Sequence, residues 1–457
     1  MARDGFPAPA ILAGALVCAL FGPGPARAAD YYVAPPPAGS DANPGSLAQP
    51  WGTLQHAADS VGPGDTVVAL AGDHAAFEVT GSGGAGAPIV FRAAPGPPVR
   101  IVSDVPGRGA GINLEGAAWI TIEGFTIENR ATVGIRAVLC DQVTIRGNVL
   151  RDNGRWGILT GCCDDLRIEG NIASGSCIEH GIYVSNSGDR PVIRGNVVGA
   201  NDKNGIHMNG DLGVDCDGAT AQDGVISDAL VEGNLLFDNG HGDCTGPSGG
   251  SAINCDGVQD STIRNNLIWN THASGISLYR IDGGAPASGN RVIGNTIHVA
   301  SDGRWAINIQ DGSTGNSVVG NTLWSDHASR GAFAACASCL AGLVSDGNAV
   351  EDRFSADGDA TSITLAAWRT ATGQDLGSVI ATPAALFVDA ANGDYHLKPD
   401  SAALDLAPVL LDLASDLEGA PRPQGAASDA GAHEGTGAIF RDDCEGGSLL
   451  RWSAWSP

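Results

Sequence analysis

Apolar positions in the middle of the chain alternate rather than recur at helical spacing: Ile182 and Val184, Ile206 and Met208, Ile276 and Leu278, Ile307 and Ile309. Period two predicts short strands with one buried face. The alternation also returns on a beat. Gly134-Ile135, Gly157-Ile158, Gly181-Ile182 and Gly205-Ile206 stand 23, 24 and 24 residues apart; Ala252-Ile253 follows after 47, Gly275-Ile276 after 23, and Ala306-Ile307 closes the series. A second phrase keeps the same time: Gly147-Asn148, Gly170-Asn171, Gly195-Asn196, Gly233-Asn234, Asn265-Asn266, Gly294-Asn295 and Gly320-Asn321. It too follows alternation, as in Val143, Ile145 and in Leu166, Ile168, so each period holds at least two strands divided by Gly, Asn and Asp turns. Units of this length cannot bury an apolar face alone and must stack. The pattern predicts an all-β chain, a parallel β-helix in which the Gly-Asn turns are structural. A leucine-rich repeat has an overlapping period, and Leu166, Ile168 and Asn171 fit part of its signature. However, the repeats are poor in Leu, leave no room for a helix and place β-branched residues inward.

The repeats occupy residues 109–330. Before them, 30–108 form a cap and first coils, in which Thr53 to Val61 reads as a helical segment with Leu54, Ala57, Ala58 and Val61 on one face. A solenoid end exposes strand edges, and this helix is the expected cover. Residues 331–435 are expected to supply closing coils and a C-terminal cap, and 436–457 a tail.

The phrases Tyr31-Tyr32-Val33, Gly39-Ser40-Asp41-x-Asn43-Pro44-Gly45, Thr53-Leu54 and Pro63-Gly64-Asp65-Thr66-Val67 resemble the amino-terminal end of secreted right-handed parallel β-helix proteins, including the pectate-lyase-like polysaccharide lyases. The resemblance implies a right-handed coil and, where such proteins are catalytic, action on acidic polysaccharides. A second set, Trp368, Leu386-Phe387-Val388-Asp389, Gly393-Asp394-Tyr395-His396-Leu397, Pro421-Arg422-Pro423 and Asp429-Ala430-Gly431-Ala432-His433-Glu434, looks like the closing region of surface-associated bacterial β-helix proteins. There it completes the solenoid before an anchoring tail. The tail here is similar to a degenerate Gly-Phe-Glu-Ser-Gly-Asp…Ser-x-Trp-Ser ending, with Cys444 in place of the expected Phe.

Composition adds a compartment. Arg3, the apolar run Ala10 to Phe21 and the small-residue site Ala26-Arg27-Ala28 read as a secretory signal peptide over residues 1–29. That run is too short to span a bilayer, and no later segment has transmembrane character. A secreted or cell-surface protein, monomeric, is expected. With Cys18 removed, ten of the 11 cysteines remain, an even number suited to disulfides in an oxidising compartment. Cys140 and Cys163 fall at equivalent places in neighbouring coils, roughly 4.8 Å apart, a spacing that suits a bridge. Cys216 with Cys244 could tie the insertion, and Cys336 with Cys339 could close a small loop or form a metal or redox motif. The formal net charge of −26, from 51 acidic and 25 basic residues, excludes a basic nucleic-acid footprint. It fits solubility, and it also fits calcium binding, since carboxylates are the ligands a hard cation needs.

Residues between the inward positions of the Gly-Ile strands must face outward and stack in columns. One column reads Arg136, Leu159, Tyr183, His207, Asn254, Ser277, Asn308; the next reads Val138, Gly161, Ser185, Asn209, Asp256, Tyr279, Gln310. From Tyr183 onward this is a hydrogen-bonding strip suited to sugar hydroxyls, with two tyrosines for packing on sugar rings. The doubled interval adds insertions, Asp211 to Ser227 and Asp238 to Gly250, which are expected to wall the strip into a groove. Glu179, His180, Lys203 and Arg280 flank it. An outward solvated face accounts for any one of these residues; their conjunction points to a site.

The chemistry that fits is β-elimination on a uronate-containing polysaccharide, where neutralising the carboxylate acidifies the adjacent carbon. His207 is the expected base because its pKa needs little tuning near neutrality, with Lys203 as the alternative if its pKa is depressed. Arg280 would neutralise the carboxylate, and Tyr183 or Tyr279 would protonate the leaving oxygen. Ser185, Asn209, Asn254, Asp256, Asn308, Gln310 and His180 would bind substrate. Asp211, Asp215 and Asp217 are the candidate calcium ligands. Two other readings use the same groove: a uronate epimerase, and a non-catalytic adhesin or glycan-binding solenoid. Hydrolysis fits less well, because a glycosidase needs carboxylates converging at fixed separation, and Gly240-His241-Gly242 is only a fragment of the polygalacturonase signature.

Overall fold

A computed structural model describes residues 28–213, 216, 223–242, 244, 246, 249–408 and 413–435. The signal-peptide reading falls outside these residues apart from its last two positions, and the tail, Asp215 and Asp217 fall outside entirely. Strands follow one another around a coil and pair coil to coil, in parallel, building stacked sheets of 11, 12 and 12 strands among the described residues. The Gly-Ile phrase opens the strands of the 11-stranded first sheet, and the Gly-Asn phrase sits at the turn from the second sheet to the third.

Parallel stacking places like residues on like. Ile135, Ile158, Ile182, Ile206, Ile253, Ile276 and Ile307 are consecutive partners in the first sheet. Ile122, Ile145, Ile168, Ile193, Val231 and Ile263 do the same in the second. All are fully buried, each worth roughly 1.5–3 kcal/mol against exposure. Gly181 leaves room for tight packing within and between coils: a Cβ there would stand 2.5 Å from the Val198 side chain of its own coil and 3.0 Å from the Gly205 carbonyl of the next. The glycine of the Gly-Asn phrase has a different task, holding the left-handed conformation of the turn. Gly195 has φ 62°, and Asn265, which replaces glycine in one coil, has φ 58°.

The asparagines after these glycines form a buried ladder. Asn171, Asn196, Asn234, Asn266, Asn295, Asn321 and Asn348 each receive on Oδ1 both the backbone N–H and the Nδ2 of the Asn one coil before. Asn196→Ala would remove the acceptor of two Asn171 donors and the Nδ2 that reaches the Ile168 carbonyl, while Oδ1 of Asn234 keeps the backbone N–H of residue 196, at about 1–3 kcal/mol per buried orphan. Chemical denaturation is expected to show a loss of about 2–5 kcal/mol; a loss under about 1 kcal/mol would mean that the ladder is redundant.

Both ends are covered. Helix Leu54–Ser60, capped by the Thr53 hydroxyl, buries Leu54 and Ala57 over the first coils. At the other end helix Leu365–Thr372 buries Trp368 against Phe333 and Phe354. The coils end at strand Val379–Ile380. The chain then doubles back over the outer face of the third sheet, where Tyr395, Ala403, Ala430 and Ala432 pack near Leu267 and Trp269. Among the described residues no helix is long and apolar enough to cross a membrane.

The disulfide expectations are corrected in part. Cys336–Cys339 is bonded as anticipated. Cys216 and Cys244 do not pair with each other; each ties the insertion to an earlier turn, Cys216 to Cys162 and Cys244 to Cys177. Cys140 and Cys163 are stacked neighbours but are free buried thiols, as is Cys255. The Cys163 thiol instead lies 3.2 Å from the Cys140 backbone N–H and faces the carbonyls of Ala137 and Gly161.

Candidate functional site

The outward columns stand as the alternation implies. Tyr183 pairs with His207, His207 with Asn254, Asn254 with Ser277 and Ser277 with Asn308; alongside, Ser185 pairs with Asn209, Asn209 with Asp256 and Asp256 with Tyr279. The strip is most concentrated where His180, in the turn before its strand, meets Tyr183 and His207. The Tyr183 and His207 rings stack at 5.0 Å, and His180 stands edge-on to both. Trp156 extends the stack beyond Tyr183.

Hydrogen bonds fix the protons in this cluster. Asn204 Oδ1 accepts from the Ser251 N–H at 2.6 Å, so its Nδ2 faces His180. Both that Nδ2, at 3.2 Å, and the Asn204 backbone N–H, at 3.3 Å, approach His180 Nδ1. Two donors on one nitrogen make it an acceptor, which leaves the proton of neutral His180 on Nε2. That Nε2 lies 3.0 Å from His207 Nδ1 and donates to it. The His207 proton is therefore on Nε2, which is shielded from solvent and has no partner. Burial holds both rings neutral: it lowers the His207 pKa to about 3 and that of His180 well below its usual value, the latter helped by His207, Arg155 and Lys203.

Two acceptors complete the set. Asn209 gives its Nδ2 to Tyr183 Oη at 3.1 Å, and its Oδ1 is buried without a partner; Asn254 Oδ1 is likewise unpaired. Burial raises the pKa of Tyr183, more than the Asn209 bond lowers it, and raises that of Tyr279 further. Both phenols are kept protonated. The floor thus offers one desolvated N–H, two carbonyl oxygens and two phenol hydroxyls within adjacent coils.

The other expected residues divide. Asp256 is committed to the fold: its carboxylate accepts the backbone N–H groups of Ile281, Asp282 and Gly283, holding that loop over the strand end. The Ser185 hydroxyl is engaged by the Thr160 carbonyl. Gln310 bonds Asn308, and both line a separate cleft of roughly 330 Å³ with Arg304, Trp305, Arg330 and Asp359. Lys203 lies beside the dyad in the turn before Ile206, with Asp202 at 3.7 Å. Arg280 is exposed at the opposite margin, its α-carbon two strands and three residues from that of His207, roughly 14 Å by strand geometry. Of the calcium candidates, Asp211 caps the Gly213 N–H. Among the described residues it is not grouped with other metal-capable side chains.

Sequence reasoning missed two features. Asp238, His241 and His272 converge at the turn between the third and first sheets, with His272 Nδ1 held by Asp302 at 2.8 Å; spacing across coils conceals such a group. A cleft of roughly 1560 Å³ lies between the third sheet and the returning closing segment, and Phe237, Trp269 and Tyr395 line it. Only the fold-back creates it.

The family described as right handed beta helix region matches residues 100–220 and 176–349. No curated protein matches the sequence. Among solved structures the chain is similar to a pectate lyase, Pel9A, at 15% identity and a TM-score of 0.62, covering 89% of this chain and 96% of that one. It is also similar to XylC in complex with xylose, at 10% identity and a TM-score of 0.51 over 89% and 99% of the two chains. An alginate lyase from Paenibacillus sp. aligns at 21% identity and a TM-score of 0.46 over 61% and 93%. At these identities the likeness to the pectate lyase and to XylC establishes the fold alone.

Proposed function

The chain belongs to the right-handed β-helix family, and on that scaffold we propose that the first-sheet groove makes it an exported carbohydrate-active enzyme, a lyase that cleaves an acidic polysaccharide by β-elimination. One observation carries the reading: a relayed imidazole presents a water-shielded, unpartnered N–H beside two unpaired amide oxygens and protonated phenols. Buried polar atoms without partners are rare in folded proteins and call for an explanation; a bound ligand that completes them supplies one here. Sugar hydroxyls and a uronate carboxylate have the required donors and acceptors. The pectate lyase likeness agrees with this substrate class.

The proton positions change the roles expected from sequence. His207 has no free lone pair facing the groove, so it serves as a donor to the substrate carboxylate, whose negative charge grows as the adjacent C–H is broken. Removal of that proton passes to Lys203, on the same margin, which acts in its uncharged form once the bound chain displaces water from the amine. The C–H electron pair becomes the new carbon–carbon double bond, the glycosidic C–O bond breaks, and Tyr183 gives its proton to the leaving oxygen. Arg280, farther along, holds a neighbouring carboxylate. No step is routed through calcium.

The masses of products from pectate, alginate and glycosaminoglycans, with and without calcium, identify the reaction. Elimination gives fragments one water lighter than hydrolysis does. Uncut chains of altered sugar composition would replace the lyase reading with epimerisation, and unchanged polymers bound by the protein would replace it with a binding role.

A further inference from the structure

The closing region brings together three side chains that no sequence motif links. His396 lies on strand Asp394–Leu397, Glu418 in a later turn, and His433 on the segment that crosses back over the third sheet; their ligand-capable atoms all lie within 4.8 Å of one another. His433 most needs an explanation. It is only 3% exposed, and neither ring nitrogen has a hydrogen-bond partner. A neutral imidazole carries one donor and one acceptor, and leaving either buried and unmet is unfavourable.

The surrounding geometry is that of a ligand set. His396 Nε2 stands 3.2 Å from a Glu418 oxygen, a separation suited to two ligands of one tetrahedral ion with bonds of about 2.0–2.2 Å. The His396 and His433 rings are 4.5 Å apart and tilted by 40°. Asp394 holds His396 Nδ1 at 2.6 Å, the second carboxylate that orients a metal-binding imidazole. Asp416 beneath is occupied by the backbone N–H groups of Glu418, Ala420 and Glu434, and Arg422 is paired with Glu434. Glu418 is exposed at the mouth of the large cleft, which leaves an entry path. A purely ionic arrangement, with protonated His396 between Asp394 and Glu418, would satisfy those groups but leave His433 unmet.

We infer that His396, Glu418 and His433 form a site for a divalent transition metal of the zinc class, with a fourth position open to the cleft. Two imidazoles and one carboxylate favour such an ion over calcium or magnesium. Bound there, it ties three segments of the closing region together.

The test uses the full-length protein, stripped by chelator and titrated with Zn²⁺ and, for its visible spectrum, Co²⁺. One equivalent is expected to bind and to raise Tm. That equivalent should disappear in His433→Phe and in Glu418→Gln, weaken about 10–100-fold in Asp394→Asn, and persist in His272→Ala, which alters the other histidine cluster. Glu418 is exposed, so Glu418→Gln leaves packing intact even where His433→Phe misfolds. Folded protein that binds neither ion, or binding unchanged in both His433→Phe and Glu418→Gln, overturns the assignment.

Discussion

His207→Ala is expected to lower kcat on the cleaved polysaccharide by about 10²–10³-fold, the usual cost of deleting one hydrogen-bond donor to a developing charge. His207→Gln, which keeps an N–H, is expected to retain more activity than His207→Ala. That order separates the two readings of the residue, because a base would be lost equally in both. The pH profile gives a second check. His207 stays neutral down to about pH 3, so it adds no limb to kcat/KM between about pH 5 and 8, where an unperturbed histidine would. Stability has the opposite sensitivity. A histidine whose folded pKa is depressed contributes fully above its unfolded pKa of about 6.5 and loses that contribution as pH falls toward the folded value. The dyad therefore makes the fold acid-sensitive below about pH 6.5, and His207→Gln is expected to flatten that slope.

Breaking the ion pair of the closing region is expected to be the most destabilising single change outside the solenoid core. Arg422 and Glu434 are both fully buried, with Nη1 to Oε2 at 2.8 Å. Arg422 also donates to the carbonyls of Asp429 and Gly431, and Glu434 accepts from the backbone N–H groups of Gln424 and Asp429. Removing one partner leaves an uncompensated buried charge, at about 3–5 kcal/mol. Arg422→Met is therefore expected to loosen the returning segment in hydrogen exchange and denaturation before the coils respond, and Arg422→Met with Glu434→Leu should recover much of the loss. A single-variant effect below about 1 kcal/mol, or no recovery in the double variant, would contradict this account.

The solenoid was legible in the sequence because in-register parallel stacking makes the chain repeat itself. Ile182, Ile206 and Ile253 occupy one column, and the Gly-Asn turns recur because each Asn completes the one before. The outward columns followed from the same alternation, which is how Tyr183, His207 and Asn209 were found. Their roles were not legible. His207 read as a base until Asn204, which belongs to neither column, fixed the proton positions through His180. Asp256 read as a binding residue because alternation points it outward, but the loop that it caps arrives from the next coil. Disulfide partners depended on where the insertion folds, which spacing within the chain does not encode. The closing histidines come from segments that meet only after the chain reverses.

The most direct measurement of the central claim is the ultraviolet absorbance of unsaturated uronate ends, followed continuously with the preferred polyuronate for the wild type and for Tyr183→Phe. A steady rise in the wild type, cut by about 10²-fold or more when the phenol hydroxyl is removed, is the expected result. A flat wild-type trace, or an equal rise in both proteins, would contradict elimination in this groove.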